Sequence, residues 1–391
     1  VWRATVAAEF VAGNRLTLLD SGADFFPALL AAINAARRDI HLESYIFADD
    51  TTGRAVAGAL VEAARRGVAV RLLVDGFGSP KFAATLRPAL ADAGVMAVVY
   101  RPELARFNLR RHRLRRLHRK LAIIDDEIAF VGGINIVDDV EPQTRLPPRY
   151  DYAVRIEGPL LLPIRSVMQR LWEIVTWVHL KHRYRIVRGA APTPTAHGEQ
   201  LATFVVRDNI RHRRAIEDAY LAAIADARYA ILIANAYFLP GRRFRQALRD
   251  AALRGVAVTI VLQGRIEYRL LHYATQALYG SLLDAGIRIF EYHHSFLHAK
   301  VAVIDQRWAT VGSSNIDPFS LLLSREANVI ALDRGFAAQL RRSVEQRIAE
   351  GARELPSAHW QQLAWHSRLL RWTSYNLVRL AIGMAGYGDK H

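Results

Sequence analysis

Residues 117–135 read LHRKLAIIDDEIAFVGGIN, and residues 297–315 read LHAKVAVIDQRWATVGSSN. Both carry His-x-Lys, four residues, Asp, six residues, then Gly-x-x-Asn. The first set is His118, Lys120, Asp125, Gly132 and Asn135; the second, 180 residues downstream, is His298, Lys300, Asp305, Gly312 and Asn315. Side chains two apart on a strand point to the same side, so His118 shares a face with Lys120, and His298 with Lys300. The runs LAIID and VAVID are apolar and partly β-branched, as a buried strand should be. FVGG and TVGS are expected to form a second short strand entering a glycine turn, where backbone approaches a ligand closely. Asn135, Ser313 and Asn315 add neutral hydrogen-bonding groups for phosphate. Each copy is half an anion site. Together they place two imidazoles and two ammonium groups around one phosphoryl group.

The flanks repeat as well. Residues 21–36 read as a helix, 39–47 as a strand, TGRAVAGALVEAARRGV as a second helix and AVRLLVDGFGS as a second strand with a Gly-rich loop. A third helix and strand follow in LRPALADAGV and MAVVY. The series returns: residues 213–240 match the first helix and strand, with Tyr237 parallel to Tyr45. ALRGVAVTIVLQG matches ARRGVAVRLLVDG, and LLDAGIRIFEY matches LADAGVMAVVY. Alternation of this kind predicts a layered α/β body. The organisation expected is an N-terminal repeat over 1–190, a C-terminal repeat over 200–350 and a basic, aromatic tail over 351–391, with a linker near 186–205 where RGAAPTPTAHGEQ is rich in turn residues.

The chain of 391 residues is 51% hydrophobic, enough for a real core. Its formal net charge of +16 favours anionic partners: membrane surfaces, nucleic acid or phosphorylated substrates. It has no cysteine, which excludes disulfides and cysteine nucleophiles. No apolar run reaches the ~18 residues of a spanning helix. VWRATVAAEF is not expected to be a signal peptide.

GxSxG, HExxH and GxxxxGK[ST] are all absent, which argues against a serine hydrolase, a zincin and a P-loop ATPase. Covalent phosphoryl transfer through histidine fits the paired motifs better. One neutral imidazole attacks phosphorus and the opposing imidazolium protonates the leaving alcohol. Lys120, Lys300, Asn135 and Asn315 hold the non-bridging oxygens as charge builds. Asp125 and Asp305 belong to the catalytic motifs, but they end their strands and are expected to hold the local loop together.

Three segments lie outside the repeat. Residues 101–117 carry seven arginines, Arg110 and Arg111 among them, directly before His118. A phosphate- or membrane-facing role is expected there. Residues 171–189 combine Trp172 and Trp177 with a basic tail. Residues 359–388, taken as a helix, put Leu363, Leu370, Leu377 and Met384 on one side and Arg368, Arg371 and Arg379 well away from them; Trp360, Trp365 and Trp372 broaden the apolar surface. The pattern suits a helix lying in a membrane interface, against the alternative of docking on the body.

The duplicated His-x-Lys-x4-Asp pattern resembles the signature of the phospholipase D superfamily. Residues 151–159, DYAVRIEGP, and ALYGSLLDAGIRIFEY are similar to segments of the bacterial cardiolipin synthases, the B type in particular. That resemblance implies a pseudo-twofold α/β/α sandwich of two repeats with mainly parallel or mixed sheets, the motifs meeting at the midline. It implies transfer of a phosphatidyl group from one phosphatidylglycerol to another with release of glycerol, and no metal or other cofactor. It gives His118 the phosphohistidine and His298 the acid/base work. Asp151 and Glu326 become the carboxylates that orient the imidazoles through their second nitrogens. The expected partners are anionic phospholipid and a membrane surface, at the cytoplasmic face of a bacterial membrane as a peripheral protein, with no nucleic acid. Alternatives are a phospholipase D that hydrolyses or exchanges headgroups, a phosphodiesterase nuclease, and a non-enzymatic membrane scaffold.

Overall fold

The computed structural model describes residues 9–101, 116–139, 147–178, 195–208, 212–317, 320, 324–357, 360 and 364–382. The first repeat runs β1 (Val11–Asp20), α1 (Ser21–Ala35), β2 (Asp39–Ser44), α2 (Thr51–Arg65), β3 (Ala69–Asp75), α3 (Leu86–Asp92), β4 (Met96–Tyr100), β5 (Lys120–Ile124), β6 (Ile128–Gly132), β7 (Tyr152–Glu157) and α4 (Leu161–Val178). The second runs β8 (Gln200–Arg207), α5 (Ala215–Asp226), β9 (Ala230–Asn235), α6 (Arg242–Leu253), β10 (Ala257–Gln263), α7 (Arg269–Gln276), α8 (Tyr279–Leu283), β11 (Arg288–Tyr292), β12 (Lys300–Ile304), β13 (Trp308–Gly312), β14 (Glu326–Leu332) and α9 (Arg334–Gly351). A short β15 (Ala352–Glu354) and the tail helix α10 (Trp365–Ile382) follow.

Strand order makes the duplication visible. One half reads β1-β7-β6-β5-β2-β3-β4 and the other β8-β14-β13-β12-β9-β10-β11, with β15 added at its edge. β2, β3 and β4 are parallel, as are β9, β10 and β11; the remaining neighbours are antiparallel. The halves join antiparallel through β1 and β8. β8 therefore begins inside the stretch expected to be linker, because its alternating QLATFVVR supplies the second half's inner strand.

Equivalent residues do equivalent work in both halves. α2 and α6 end on Gly67 and Gly255, each with φ near +89°. Val68 N–H then reaches Ala63 O and Gly67 N–H reaches Ala64 O; Val256 and Gly255 bond Ala251 O and Ala252 O in the same way. A β-carbon is strained at that φ, so glycine stops both helices. The preceding arginine caps a neighbouring helix in each half, Arg66 donating to Ile33 O and Arg254 to Ile224 O.

One core cluster lies under α1 to α3 and another under α5 to α8. A third, of four among the described residues, draws Val131, Tyr152 and Ile156 from the first half and Val301, Val311 and Val329 from the second, together with Ile164 and Met168 of α4 and Leu340 and Val344 of α9. Helices thus cover both faces of the sheet, and the halves share one interior. No described helix is long and apolar enough to cross a membrane.

Candidate active site

The faces follow the strand period. Lys120 is buried on one side of β5, while Arg119 turns to the other and forms a bidentate pair with Glu43 at 2.5 and 3.0 Å. The second half has Ala299 in the position of Arg119, since 299 stands to the second motif as 119 to the first. A buried ion pair in one half faces an apolar contact in the other, as expected if such a pair is not needed for the fold.

Each histidine is held by the opposite half. Leu117 bridges Arg325 just before β14; His118 N–H donates to Arg325 O at 3.0 Å and Arg325 N–H to Arg116 O at 2.7 Å. Tyr150, just before β7, bridges Leu297; His298 N–H donates to Tyr150 O at 2.7 Å and Tyr150 N–H to Phe296 O at 2.9 Å. The next residue along each bridging strand is the orienting carboxylate. His118 Nδ1 lies 2.9 and 3.0 Å from the two oxygens of Glu326, and His298 Nδ1 lies 2.6 Å from Asp151 Oδ2. The carboxylates therefore act crosswise, each half supplying the other's imidazole. Both are buried.

The half-sites differ in detail. Lys300 Nζ is 3.4 Å from Asp151 Oδ2 and 2.9 Å from His298 Nδ1, and it donates to His298 O. Lys120 Nζ donates to His118 O at 2.6 Å. Ser313 Oγ donates to Glu326 Oε2 at 2.5 Å and accepts from Ala327 N–H at 3.1 Å. The equivalent residue is Gly133, where an added Cβ would lie 2.3 Å from Asp151 Oδ1. The shorter carboxylate occupies the room that the serine hydroxyl fills in the other half. The Ser313 hydroxyl, expected among the phosphate-binding groups, bonds the carboxylate that orients His118. Asn135 Oδ1 accepts from Ile46 N–H at 3.1 Å, and Asn315 Nδ2 lies 3.5 Å from Ser320 Oγ. Both amides are buried beside the motifs.

Asp125 and Asp305 are not brought to the imidazoles. Each lies at the far end of its strand, seven residues from the histidine and so about 23 Å away at ~3.3 Å per residue. Asp125 accepts from the N–H groups of Arg37, Arg38 and Asp39 at 2.7–2.9 Å, and Asp305 from those of Arg228, Tyr229 and Ala230 at 2.8–3.0 Å. Both adopt positive φ, 53° and 49°, as do Asp126 and Gln306 beside them in three-residue hairpin turns. Aspartate tolerates this conformation and caps the loop entering β2 or β9. The motif aspartates, which the spacing groups with the catalytic histidines and lysines, bond the local loops instead of the imidazoles.

Burial dominates the electrostatics. It lowers His118, with Glu326 opposing, and takes His298 down to about 3, with Lys300 adding to the effect. Both imidazoles are neutral near pH 7 before an anion arrives. Burial works against the Asp151 carboxylate, but Lys300 and His298 outweigh it and hold the group below its ordinary range. Burial lowers Lys300 and brings Lys120 to about 7. Lys120 thus loses its proton as pH rises through about 7. kcat/KM, which reports the free enzyme, is expected to fall along an alkaline limb there. Lys120→Arg, which keeps its charge, should remove that limb; a limb unchanged in this variant would assign it to another group. Stability has the opposite sign. The unfolded lysine stays protonated to its ordinary value of 10.5, so the folded state gains as pH rises from about 7 toward 10.5.

The repeat contains another residue that the motif reading passed over. Tyr45 stacks edge-on against His118 at 4.7 Å, and Lys120 Nζ lies 5.4 Å from its ring. Burial, then Asp75, raises its hydroxyl to about 12. Its counterpart Tyr237 donates to Glu267 at 2.5 Å. The signal was present in the sequence as the Tyr45–Tyr237 match. Exposed Phe77 and Tyr268 follow β3 and β10, on the loops next to this centre.

Arg110 and Arg111 lie outside the described residues. Trp360, Trp365, Arg368, Arg371, Trp372 and Arg379 lie on or beside α10, which docks on the second half. Arg371 is not turned outward: Nε donates to Gln276 at 3.0 Å and its guanidinium lies 5.0 Å from the Trp360 ring, which packs 5.0 Å from Tyr279. Ser374 and Val378 are buried against the body. Leu370 and Leu377 are on the exposed side of α10; residues 361–363 and Met384 fall outside the described residues.

The family model described as "Cardiolipin synthase, PLD-like domain" matches residues 29–141 and 220–348. Cardiolipin synthase B of Salmonella typhi is 37% identical over 393 residues, covering 97% of this chain and 91% of that protein. Cardiolipin synthase B of Escherichia coli K12 is 36% identical over 389 residues, with the same coverage of 97% and 91%. Among solved structures, phosphatidylserine synthase of Haemophilus influenzae Rd KW20 superposes with a TM-score of 0.72 at 14% identity, covering 97% of this chain and 96% of that one. That likeness concerns the fold.

Proposed function

From the premise that this chain belongs to the cardiolipin synthase family of phospholipase D-like proteins and is a phosphatidyltransferase, we propose that it joins two phosphatidylglycerol molecules into cardiolipin and releases glycerol. The observation that carries the reading is the crosswise pairing of each imidazole with a carboxylate of the other half. Each ring has its Nδ1 engaged by a carboxylate of the other half, which leaves each Nε2 for phosphorus or for a leaving oxygen.

In the proposed cycle His118 attacks the phosphorus of the first phosphatidylglycerol. A P–N bond forms as the P–O bond to glycerol breaks, and His298 delivers a proton to the departing oxygen. His298 then takes the proton from the incoming hydroxyl of the second phosphatidylglycerol, whose oxygen displaces His118. Two imidazoles held neutral by burial bind the anionic diester without excess positive charge; the diester's own charge raises the pKa of the acid within the complex. Lys120 and Lys300 meet the charge on the non-bridging oxygens.

The partner in this reading is anionic phospholipid at a bacterial membrane surface, approached peripherally from the cytoplasmic side. The aromatic side chains Phe77 and Tyr268 favour a lipid substrate over a free phosphate. Incubation with phosphatidylglycerol vesicles followed by lipid mass spectrometry tests the proposal. Cardiolipin with an equal yield of glycerol is expected. Phosphatidic acid as the main product would make the enzyme a hydrolase instead.

A further inference from the structure

A second basic feature lies away from both motifs. Between α10 and the α7–α8 segment runs a groove of about 640 Å³. Arg245 of α6 and Arg368, Arg371 and Arg379 of the tail line it, with Asp284 as the single lining carboxylate among the described residues. None of its lining residues belongs to the catalytic set. Arg245 and Arg379 lie 5.9 and 5.8 Å from the ring of Tyr375, and Arg371 lies over Trp360. The aromatic rings hold three guanidiniums at the groove, although mutual repulsion favours their dispersal. Burial lowers Arg371, the cost of bringing that charge against the body.

The outer side of the same helix is apolar. Trp365, Leu369, Trp372 and Leu380 stand at helical spacings of four, three and eight, and therefore on one arc. Trp365 is 76% exposed and Trp372 63%. Trp372 also lines the groove, so the charged trough and the apolar arc are contiguous. A soluble phosphate would use only the first feature. A phospholipid in a bilayer uses both, phosphate in the trough and interface against the indoles and leucines.

We propose that this groove binds the phosphodiester headgroup of an anionic phospholipid that is not being turned over, and so seats the enzyme on anionic membrane. Four guanidiniums against one carboxylate give the charge complementarity, and the adjoining arc commits the ligand to a lipid surface. The proposal concerns binding alone and stands apart from the transferase reading.

The test measures binding of His298→Ala protein, which consumes no lipid, to phosphatidylcholine vesicles with and without phosphatidylglycerol. Adding Arg245→Gln and Arg379→Gln should weaken binding to the anionic vesicles about thirtyfold, from the usual contribution of two basic residues at a charged surface. Binding to neutral vesicles should change little. The matched control, Arg54→Gln with Arg65→Gln, removes the same charge from exposed side chains of the first half and should bind anionic vesicles within about twofold of the parent protein. Circular dichroism confirms that each variant is folded. Trp365→Ala with Trp372→Ala, which leaves every arginine in place, should weaken binding to both vesicle types. Equal losses in the groove and control variants would overturn the proposal. So would competition by soluble glycerophosphoglycerol at the concentration of accessible lipid headgroup, which would make the groove a free-phosphodiester site. A groove variant that lost affinity for a single-stranded oligonucleotide but kept vesicle binding would overturn it as well.

Discussion

Alanine at His118 or at His298 is expected to reduce cardiolipin formation at least about 10⁴-fold, and the double variant little further, because the two rings act as one unit. Neither substitution should unfold the protein. Each imidazole bonds outward to a carboxylate, and the backbone bridges at 117–325 and 150–297 do not depend on the side chain. Lipid turnover and thermal midpoint measured together check both halves of the statement. Near-normal turnover in either variant sinks the paired mechanism. Rapid quenching with phosphate-labelled phosphatidylglycerol, followed by peptide mapping, then separates the roles. The family resemblance places the label on His118. The electrostatics of the residues lean the other way, since His298 is held more firmly neutral, at about 3. Label on His298 would exchange the two roles and leave the cycle otherwise intact.

Asp151→Asn is expected to cost more than Glu326→Gln, although each carboxylate orients one imidazole. Both should lose roughly 10²–10⁴ in turnover, the range for removing a charged partner that fixes a tautomer. The difference lies in what else each group supports. Asp151 also faces the buried Lys300 ammonium at 3.4 Å, whereas Glu326 is bonded to Ser313 and His118. Without Asp151, Lys300 remains buried with its nearest carboxylate gone, at a cost of about 3–5 kcal/mol. Denaturant midpoints should therefore drop sharply in Asp151→Asn and much less in Glu326→Gln. Equal stability losses would show that Lys300 does not rely on Asp151.

Much of this was legible along the chain because the duplication is local in sequence. The glycine stops at Gly67 and Gly255, the apolar runs of β5 and β12, and the two-residue spacing of His and Lys depend on neighbours within a few positions. The limits of that reading are equally specific. Asp125 and Asp305 share a motif with the histidines, but strand rise carries them to the opposite end. Ser313 and Gly133 sit at one repeat position, and the length of the facing carboxylate decides which is tolerated. Arg371 reads as a solvent-facing member of the tail until Gln276 and Trp360 claim it.

The sequence by itself determined two α/β units, each ending in half of a phosphate site, because backbone periodicity and turn chemistry act over short stretches. Only the tertiary structure decided that Glu326 serves His118 and Asp151 serves His298. Those partners are 208 and 147 residues apart, and nothing in the local pattern favours crosswise over same-half pairing. The choice is made by the bridges at 117–325 and 150–297, which bring the residue after Arg325 or Tyr150 beside the other half's imidazole.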